Sequence, residues 1–264
     1  MDAELLLAAV LGTSRAALLT RDDVDDDAAA RFAALLDQRA ARVPLQHLTG
    51  RAPFRYLELA VGPGVFVPRP ETEQLVEWAL ARLAGAPAPV VVDLGSGSGA
   101  IALSIAHEHP GARVTAVERD AQAIEWTRHN AALRAAAGDP PVSVLAGDMT
   151  DPGLLRDLDG AVDLVVSNPP YVPDGARVPR EVADHDPPLA LWGGPDGLDV
   201  VRGLLRTAAR LLRPGGALGI EHADQQGHAL PALVRGAGGF TGVADHPDLA
   251  GRPRFTTAVR AGGD

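Results

Sequence analysis

Cysteine is absent from the 264 residues, which excludes disulfides, a thiolate nucleophile and thiolate metal ligands. Long apolar runs are missing too. No window offers about eighteen unbroken apolar residues, and the start, Met1-Asp2-Ala3-Glu4, lacks the basic region of a secretory signal; neither membrane insertion nor export is expected, and the default compartment is cytoplasmic. Positive charge is in short supply, with 24 Lys and Arg against 34 Asp and Glu and a formal charge of −10. That balance argues against tight, sequence-blind binding to a nucleic-acid backbone. Aromatic residues make up only 4%, which leaves little to stack on an extruded base. The eight histidines include no obvious liganding pair, because His107 and His109 are two apart and do not share a helix face. No metal is expected.

What is present is an ordinary globular balance, 46% hydrophobic and 22% charged, in a chain long enough for one well-buried domain and a small second one. Asp2 to Leu11 is apolar at helical spacing, with Gly12 as a stop, and a second short helix follows Thr13 or Ser14. The acidic run Asp22, Asp23, Asp25, Asp26, Asp27 precedes an Ala-rich segment carrying Arg39 and Arg42 at its far end, a polarity that suits a helix dipole. Residues 1–50 therefore read as a small helical domain. From Pro53 to Val67 the pattern turns to a β-hairpin, with Gly62-Pro63-Gly64 as its turn and Val65-Phe66-Val67 as its second strand, and 51–67 is taken as the linker. Pro68-Arg69-Pro70-Glu71-Thr72-Glu73 then opens a helix through Leu83, with Pro and acids where a helix start favours them. Arg69 and Glu71 could equally reach a ligand.

Residues 68–264 read as an α/β domain. Val90 to Val92 is a buried strand leading into Asp93-Leu94-Gly95-Ser96-Gly97-Ser98-Gly99 and a helix from Ala100 to Ala106. Such a turn lets backbone approach a ligand, with a helix N-terminus behind it. Gly95, Gly97 and Ala100 also satisfy the dinucleotide pattern, with Glu118 at the right distance for ribose hydroxyls, so glycine spacing leaves nicotinamide and S-adenosylmethionine both open. Asp93, which could hold the cationic end of an amino acid, and Asp148, which could accept from an adenine amino group, lean toward the second. Val162 to Val166 is a further strand, ended by Asn168-Pro169-Pro170-Tyr171. Two prolines in succession stiffen that loop and remove two donors, which leaves the Asn168 side-chain oxygen and the Pro169 carbonyl as acceptors for an NH2 group. Asp93, Glu118, Asp148 and Asn168 all fall at carboxyl ends of predicted strands, which form one rim in a doubly wound sheet. Leu204 to Leu212 is an amphipathic helix, Ala217 to Ile220 a strand leading to Glu221 and His222, and Phe240 onward supplies the last strands.

The turn at 93–99, Glu118 and Asn168-Pro169-Pro170-Tyr171 resemble the Rossmann-like methyltransferases that use S-adenosylmethionine and methylate amino or amide nitrogens. Pro44-Leu45-Gln46-His47-Leu48-Thr49-Gly50, Phe66 to Glu73, Glu221-His222 with Gln225-Gln226-Gly227, and Asp248 to Arg252 resemble the PrmC/HemK family in particular. That resemblance spans nearly the whole chain. It implies a doubly wound, mostly parallel seven-stranded sheet behind a helical domain that docks the substrate, and methylation of the glutamine side-chain amide in the Gly-Gly-Gln motif of a peptide chain release factor. It further implies that Gly95, Ser96, Gly97, Ser98 and Gly99 wrap the methionine part of the cofactor, that Glu118 binds its ribose, and that Asp148 and Met149 flank its adenine. Asn168 and the Pro169 carbonyl would grip the amide, with Pro170 and Tyr171 shaping the slot, S-adenosylhomocysteine would be the product, and no acid or base residue is assigned. A monomer is expected. Two departures stand out: family members usually carry another helix before the segment matching Asp2-Ala3-Glu4-Leu5-Leu6-Leu7, so the docking domain is expected to be shortened, and Met149 stands where an aromatic is often found. The alternatives are a glutamine methyltransferase acting on a ribosomal protein, an amino-methyltransferase acting on nucleic acid, a nicotinamide dehydrogenase, and a sheet that binds without catalysis.

Overall fold

A computed structural model describes residues 1–21 and 23–262; Asp22 of the acidic run, and Gly263 and Asp264 at the end of the α/β domain, lie outside the described residues. Three helices open the chain, α1 (Asp2–Val10), α2 (Asp26–Ala40) and α3 (Leu45–Thr49), with a 3-10 turn at Ala16–Thr20. Asp25 caps α2 by accepting from the Ala28 N–H at 2.8 Å, while Asp26 and Asp27 in its first turn and Arg39 in its last oppose the helix dipole correctly.

The hairpin is β1 (Arg51–Phe54) against β2 (Leu57–Ala60), antiparallel, with Phe54 opposite Leu57. Its turn is therefore Arg55-Tyr56, not Gly62-Pro63-Gly64, and Val65 to Val67 is not a strand. Two tertiary interactions overrule the local turn chemistry. Arg55, at φ +50°, is clamped: its N–H donates to Glu73 Oε1 at 3.0 Å and its guanidinium to Glu77 and Glu108. Gly62 to Gly64 instead lies along α6 (Ala121–Ala136), where Trp126 Nε1 donates to the Pro63 carbonyl at 3.2 Å and a Cβ on Gly62 would stand 2.6 Å from the indole. Val61, Val65 and Val67 are buried there with Ala123.

After α4 (Glu73–Leu83) come β3 (Val90–Leu94), α5 (Ala100–Glu108), β4 (Arg113–Glu118), α6, β5 (Ser143–Ala146) and β6 (Val162–Ser167). The short helices α7 (Arg180–His185) and α8 (Pro188–Leu191) follow, then α9 (Asp199–Leu211), β7 (Leu212–Glu221), α10 (Ala229–Gly236), β8 (Phe240–Pro247) and β9 (Pro253–Arg260). The seven-stranded sheet has the order β5-β4-β3-β6-β7-β9-β8, parallel from β5 through β7, with β9 antiparallel to both its neighbours. Two apolar layers cover it. Leu75, Val76 and Ala79 of α4 pack with α5 on one face, and Leu204, Leu205 and Leu211 of α9 pack with α10 on the other. The chain runs outward from β3 to β5 and then crosses back to β6, so the strand order reverses between β3 and β6, where open α/β sheets bind ligands. Both signature loops, after β3 and after β6, leave the sheet at that point.

Candidate active site

Above the β3–β6 crevice lies a cavity of about 310 Å³, near the lower end of the roughly 300–1,000 Å³ typical of ligand pockets. Its floor is the glycine turn. Gly95, Gly97 and Gly99 sit at φ +83°, +55° and +86°, conformations that L side chains avoid. The Gly95 and Ser96 N–H groups donate to the Val117 carbonyl at 2.8 and 3.0 Å, tying the turn to β4. From α6, Thr127 Oγ1 donates to the Gly97 carbonyl at 2.6 Å, and Asn130 Nδ2 donates to the Ser98 and Ala60 carbonyls, both at 2.9 Å. The turn is held from two sides. A Cβ on Gly97 would meet nothing within 4 Å, so its free face opens on the cavity.

Glu118, at the end of β4, accepts from the N–H groups of Gly97 (2.9 Å), Arg119 (2.7 Å) and Asp120 (3.0 Å), which hold its carboxylate at the cavity edge. Asp148 also lines the cavity. Burial pushes its carboxyl up, but bonds from the Thr150 N–H and hydroxyl and from Arg119 outweigh this and leave it below the usual range. Met149 is buried, with its methyl 2.7 Å from where a Gly95 Cβ would be. Asp93 sits lower. It is fully buried beneath the turn and does not line the cavity; Oδ2 accepts from the Ala102 N–H at 3.1 Å, Oδ1 has no partner among the described residues, and burial pushes the carboxyl up to about 7.

On the β6 side, Asn168 Nδ2 donates to Thr72 Oγ1 at 3.2 Å; with the nitrogen so engaged, Oδ1 is on the other edge of the amide, free to accept. Pro170 and Tyr171 line the cavity beside it, while Pro169 is buried behind them. The loop is fixed from outside by two glycines and a glutamine. A Cβ on Gly193 would stand 2.6 Å from the Pro170 carbonyl oxygen and one on Gly197 2.2 Å from that of Tyr171, and Gln226 Nε2 donates to the Tyr171 carbonyl at 3.0 Å. Tyr171 Oη donates to Glu221 Oε1 at 3.3 Å; its burial beside that carboxylate raises the phenol well above its ordinary pKa.

Of the residues singled out in the sequence, Gly95, Ser96, Gly97, Ser98, Glu118, Asp148, Met149, Asn168, Pro170 and Tyr171 meet in this cavity, whereas Asp93, Gly99 and Pro169 support it from behind. Sequence reasoning missed Thr72, Arg119, Phe54 and Phe66, and the wall made by Val182 and Leu191 of α7 and α8. Thr72 lay inside a run already marked as a helix start, and Arg119 directly follows Glu118; the α7–α8 wall carries no motif. Arg69, left open, lines the cavity, donates to the buried Asp186 at 2.9 Å and stacks its guanidinium on Phe66. Among the described residues, no group of three or more His, Cys, Asp or Glu is placed to hold a metal, and no helix is long and apolar enough to cross a membrane.

The donor set fits S-adenosylmethionine. Open backbone at Gly97 suits the amino-acid part, a fixed carboxylate at Glu118 suits paired hydroxyls, and an acceptor at Asp148 beside the apolar Met149 and Val117 suits an aminated base. A switch-point sheet bearing this turn and the Asn168 loop defines a Rossmann-like methyltransferase. Solved structures share the fold: a methyltransferase from Pyrococcus furiosus (TM-score 0.55, 20% identity, 86% of this chain and 100% of that one) and the cyclase SpnF (TM-score 0.51, 14% identity, 78% and 88%). As a cyclase has the same sheet, fold alone does not fix the reaction. The sequence is more specific. Residues 1–50 match the PrmC N-terminal domain and 57–184 the methyltransferase small domain. The release factor glutamine methyltransferase of Mycolicibacterium smegmatis is 53% identical over 260 residues (98% of this chain, 90% of that one), that of Streptomyces coelicolor 52% over 264 (98% and 90%), and that of Deinococcus radiodurans 45% over 267 (100% and 92%). The chain belongs to the release factor glutamine methyltransferase family, and S-adenosylmethionine is its methyl donor.

Proposed function

We propose that this protein methylates the side-chain amide nitrogen of the glutamine in the Gly-Gly-Gln motif of a peptide chain release factor. The observation that carries the proposal is the Asn168 amide, its nitrogen committed to Thr72 and its oxygen left to accept, in the same cavity as the glycine turn. The relatives' shared name supports the choice of substrate.

Bound S-adenosylmethionine supplies an electrophilic methyl carbon on a positively charged sulfur. Asn168 Oδ1, which opens on the cavity, accepts from the glutamine NH2, so its nitrogen is oriented and the charge growing on it is stabilised as the new bond forms. Held there, S-adenosylmethionine would give up its methyl and keep the bonding pair as S-adenosylhomocysteine, and the methylated amide would lose its proton to water. Gly95 to Gly99 wrap the methionine part, Glu118 takes the ribose hydroxyls, and Asp148 and Met149 flank the adenine. Pro170 and Tyr171 shape the slot, and α7 and α8 keep water from it. Residues 1–50 dock the release factor, 51–67 link, and 68–264 carry the chemistry. The enzyme works as a monomer on a protein alone, without direct nucleic-acid contact, in keeping with its charge of −10.

The test is mass spectrometry of a purified release factor incubated with this protein and S-adenosylmethionine. One methyl mapped to the Gly-Gly-Gln glutamine, and lost with Asn168→Ala, is the expected result. Cofactor binding with no methyl transferred, or a methyl elsewhere, would sink the substrate assignment.

A further inference from the structure

An asparagine can act as the acceptor for an NH2 group only if its amide is held one way round. Flipped, it would present its own NH2 to the substrate's, two donors facing each other. What holds it is therefore part of the chemistry, and the structure contains a candidate in Thr72. This residue is 4% exposed and stands at the N-cap position of α4, where a threonine hydroxyl ordinarily accepts from a helix N–H, a bond worth roughly 1 kcal/mol. Its side chain makes no such bond. Instead Oγ1 accepts from Asn168 Nδ2, and the hydroxyl lies against the Glu221 carboxylate, where it favours the charged form.

Glu221 closes the chain of contacts. It is 2% exposed at the end of β7; Oε1 accepts from Tyr171 Oη, and Oε2 has no hydrogen-bond partner among the described residues. An ionised carboxylate can only accept, so a neighbouring hydroxyl must turn its hydrogen toward it. Thr72 then has only lone pairs left for Asn168, and these demand the NH2 edge. We propose that Thr72, oriented by Glu221, is a positioning residue that fixes the Asn168 amide with its oxygen toward the substrate. The proposal rests on the reading of Asn168 as the amide-gripping residue. Protonated, Glu221 would donate in place of accepting, release the Thr72 hydrogen toward Asn168, and favour the unproductive orientation. Burial pushes Glu221 up to about 7, so this switch falls near neutral pH. The charged or titratable groups facing it are Arg254 on β9, which lowers it, and Glu71 ahead of α4, which raises it, with Tyr171 hydrogen-bonded to it. His222, next along β7, turns its ring to Asp245 instead.

Two measurements on the full chain test the relay. In the methylation assay, Thr72→Val, which keeps the shape and removes the hydroxyl, and Glu221→Gln, which turns an acceptor-only group into a donor, should each lower kcat by roughly 10- to 100-fold, the usual cost of losing a supporting partner. KM for the release factor and affinity for S-adenosylmethionine should stay within about twofold, and Thr72→Ser should recover most of the turnover. Thr72→Val with wild-type kcat, or Thr72→Ser as slow as Thr72→Val, would overturn the relay while leaving the methyltransferase assignment intact. The second readout needs no substrate: in the NMR spectrum, the Asn168 side-chain NH2 signals should shift with pH through about 7 in the wild type and not in Glu221→Gln. Wild-type signals that stay fixed would refute the relay even if the release factor proved the wrong substrate.

Discussion

The helical unit at 1–50 and the sheet domain are built to different standards. In the first, Leu6, Ala8, Ala28 and Pro44 are the only buried residues among those described, and Leu19 is 89% exposed. In the second, β3 and β6 are buried on both faces, under α4 and α5 on one side and α9 and α10 on the other. A thin core gives low local stability and a surface free to adapt; a thick one holds atoms where a methyl transfer needs them. The contrast suits a division between recognising a large partner and positioning one amide. A polar contact joins the two: Arg39, at the end of α2, donates to Glu181 of α7 at 2.7 Å, while its bond to Asp2 at 2.8 Å stays within the helical unit.

The largest expected effect lies entirely on the rigid side. Asn168→Ala should reduce kcat by about 100- to 1,000-fold, as loss of one stabilising group at a reacting centre does, with affinity for S-adenosylmethionine within about twofold by calorimetry. A loss of cofactor binding as large as the loss of rate would mean that Asn168 serves the cofactor and not the amide. Next comes the core itself. Leu164→Ala, at a fully buried position of β6, should cost about 2–5 kcal/mol of global stability in denaturant unfolding. Leu6→Ala should instead weaken hydrogen-exchange protection within residues 1–50 alone. If both lowered protection everywhere equally, the two regions would be one cooperative unit.

A pH effect follows, again confined to the sheet domain. Asp93 and Glu221 ordinarily titrate near 3.8 and 4.5 and are both pushed up to about 7 by burial. Between those values the folded chain keeps protons that the unfolded chain has released. Their contribution to stability is thus full below about pH 4 and is lost as pH rises through about 7, a change on the order of 3–4 kcal/mol for each group. Unfolding at pH 5 and pH 8 should show the decline, and Asp93→Asn should remove roughly half of it, leaving the Glu221 share; the same slope in the variant would assign the effect elsewhere. The smallest effect is expected at the junction. Arg39 is 23% exposed, so Arg39→Ala should cost about 1 kcal/mol or less and raise KM for the release factor with kcat unchanged. An equal fall in kcat would show that the α2–α7 contact shapes the catalytic cavity as well.

Much of the sheet domain was legible because its signals are local. Glycines at a strand end, acids closing β4 and β5, and Asn-Pro-Pro after β6 each declare a backbone event where they stand, and the doubly wound topology gathers them at one rim. The remainder was set by partners distant in sequence. Gly62-Pro63-Gly64 has every mark of a hairpin turn, yet Trp126 claims it and three glutamates secure the turn at Arg55. Thr72 looks like an ordinary helix start until Asn168, 96 residues away, is seen to use it. Asp93 was correctly placed at its strand end, but the tilt of the turn over α5 drops it below the cavity. No spacing rule encodes such depth.

Asn130 gives the two halves of the molecule a common origin. Its amide donates to the Ala60 carbonyl and accepts from the Ala60 N–H, as a neighbouring strand would, while a third hydrogen bond runs to the Ser98 carbonyl in the glycine turn. The end of the hairpin and the glycine turn are thus pinned to a single side chain. Like the fence on a workbench, this pin fixes the spacing between hairpin and glycine turn, whatever the helices ahead of them do.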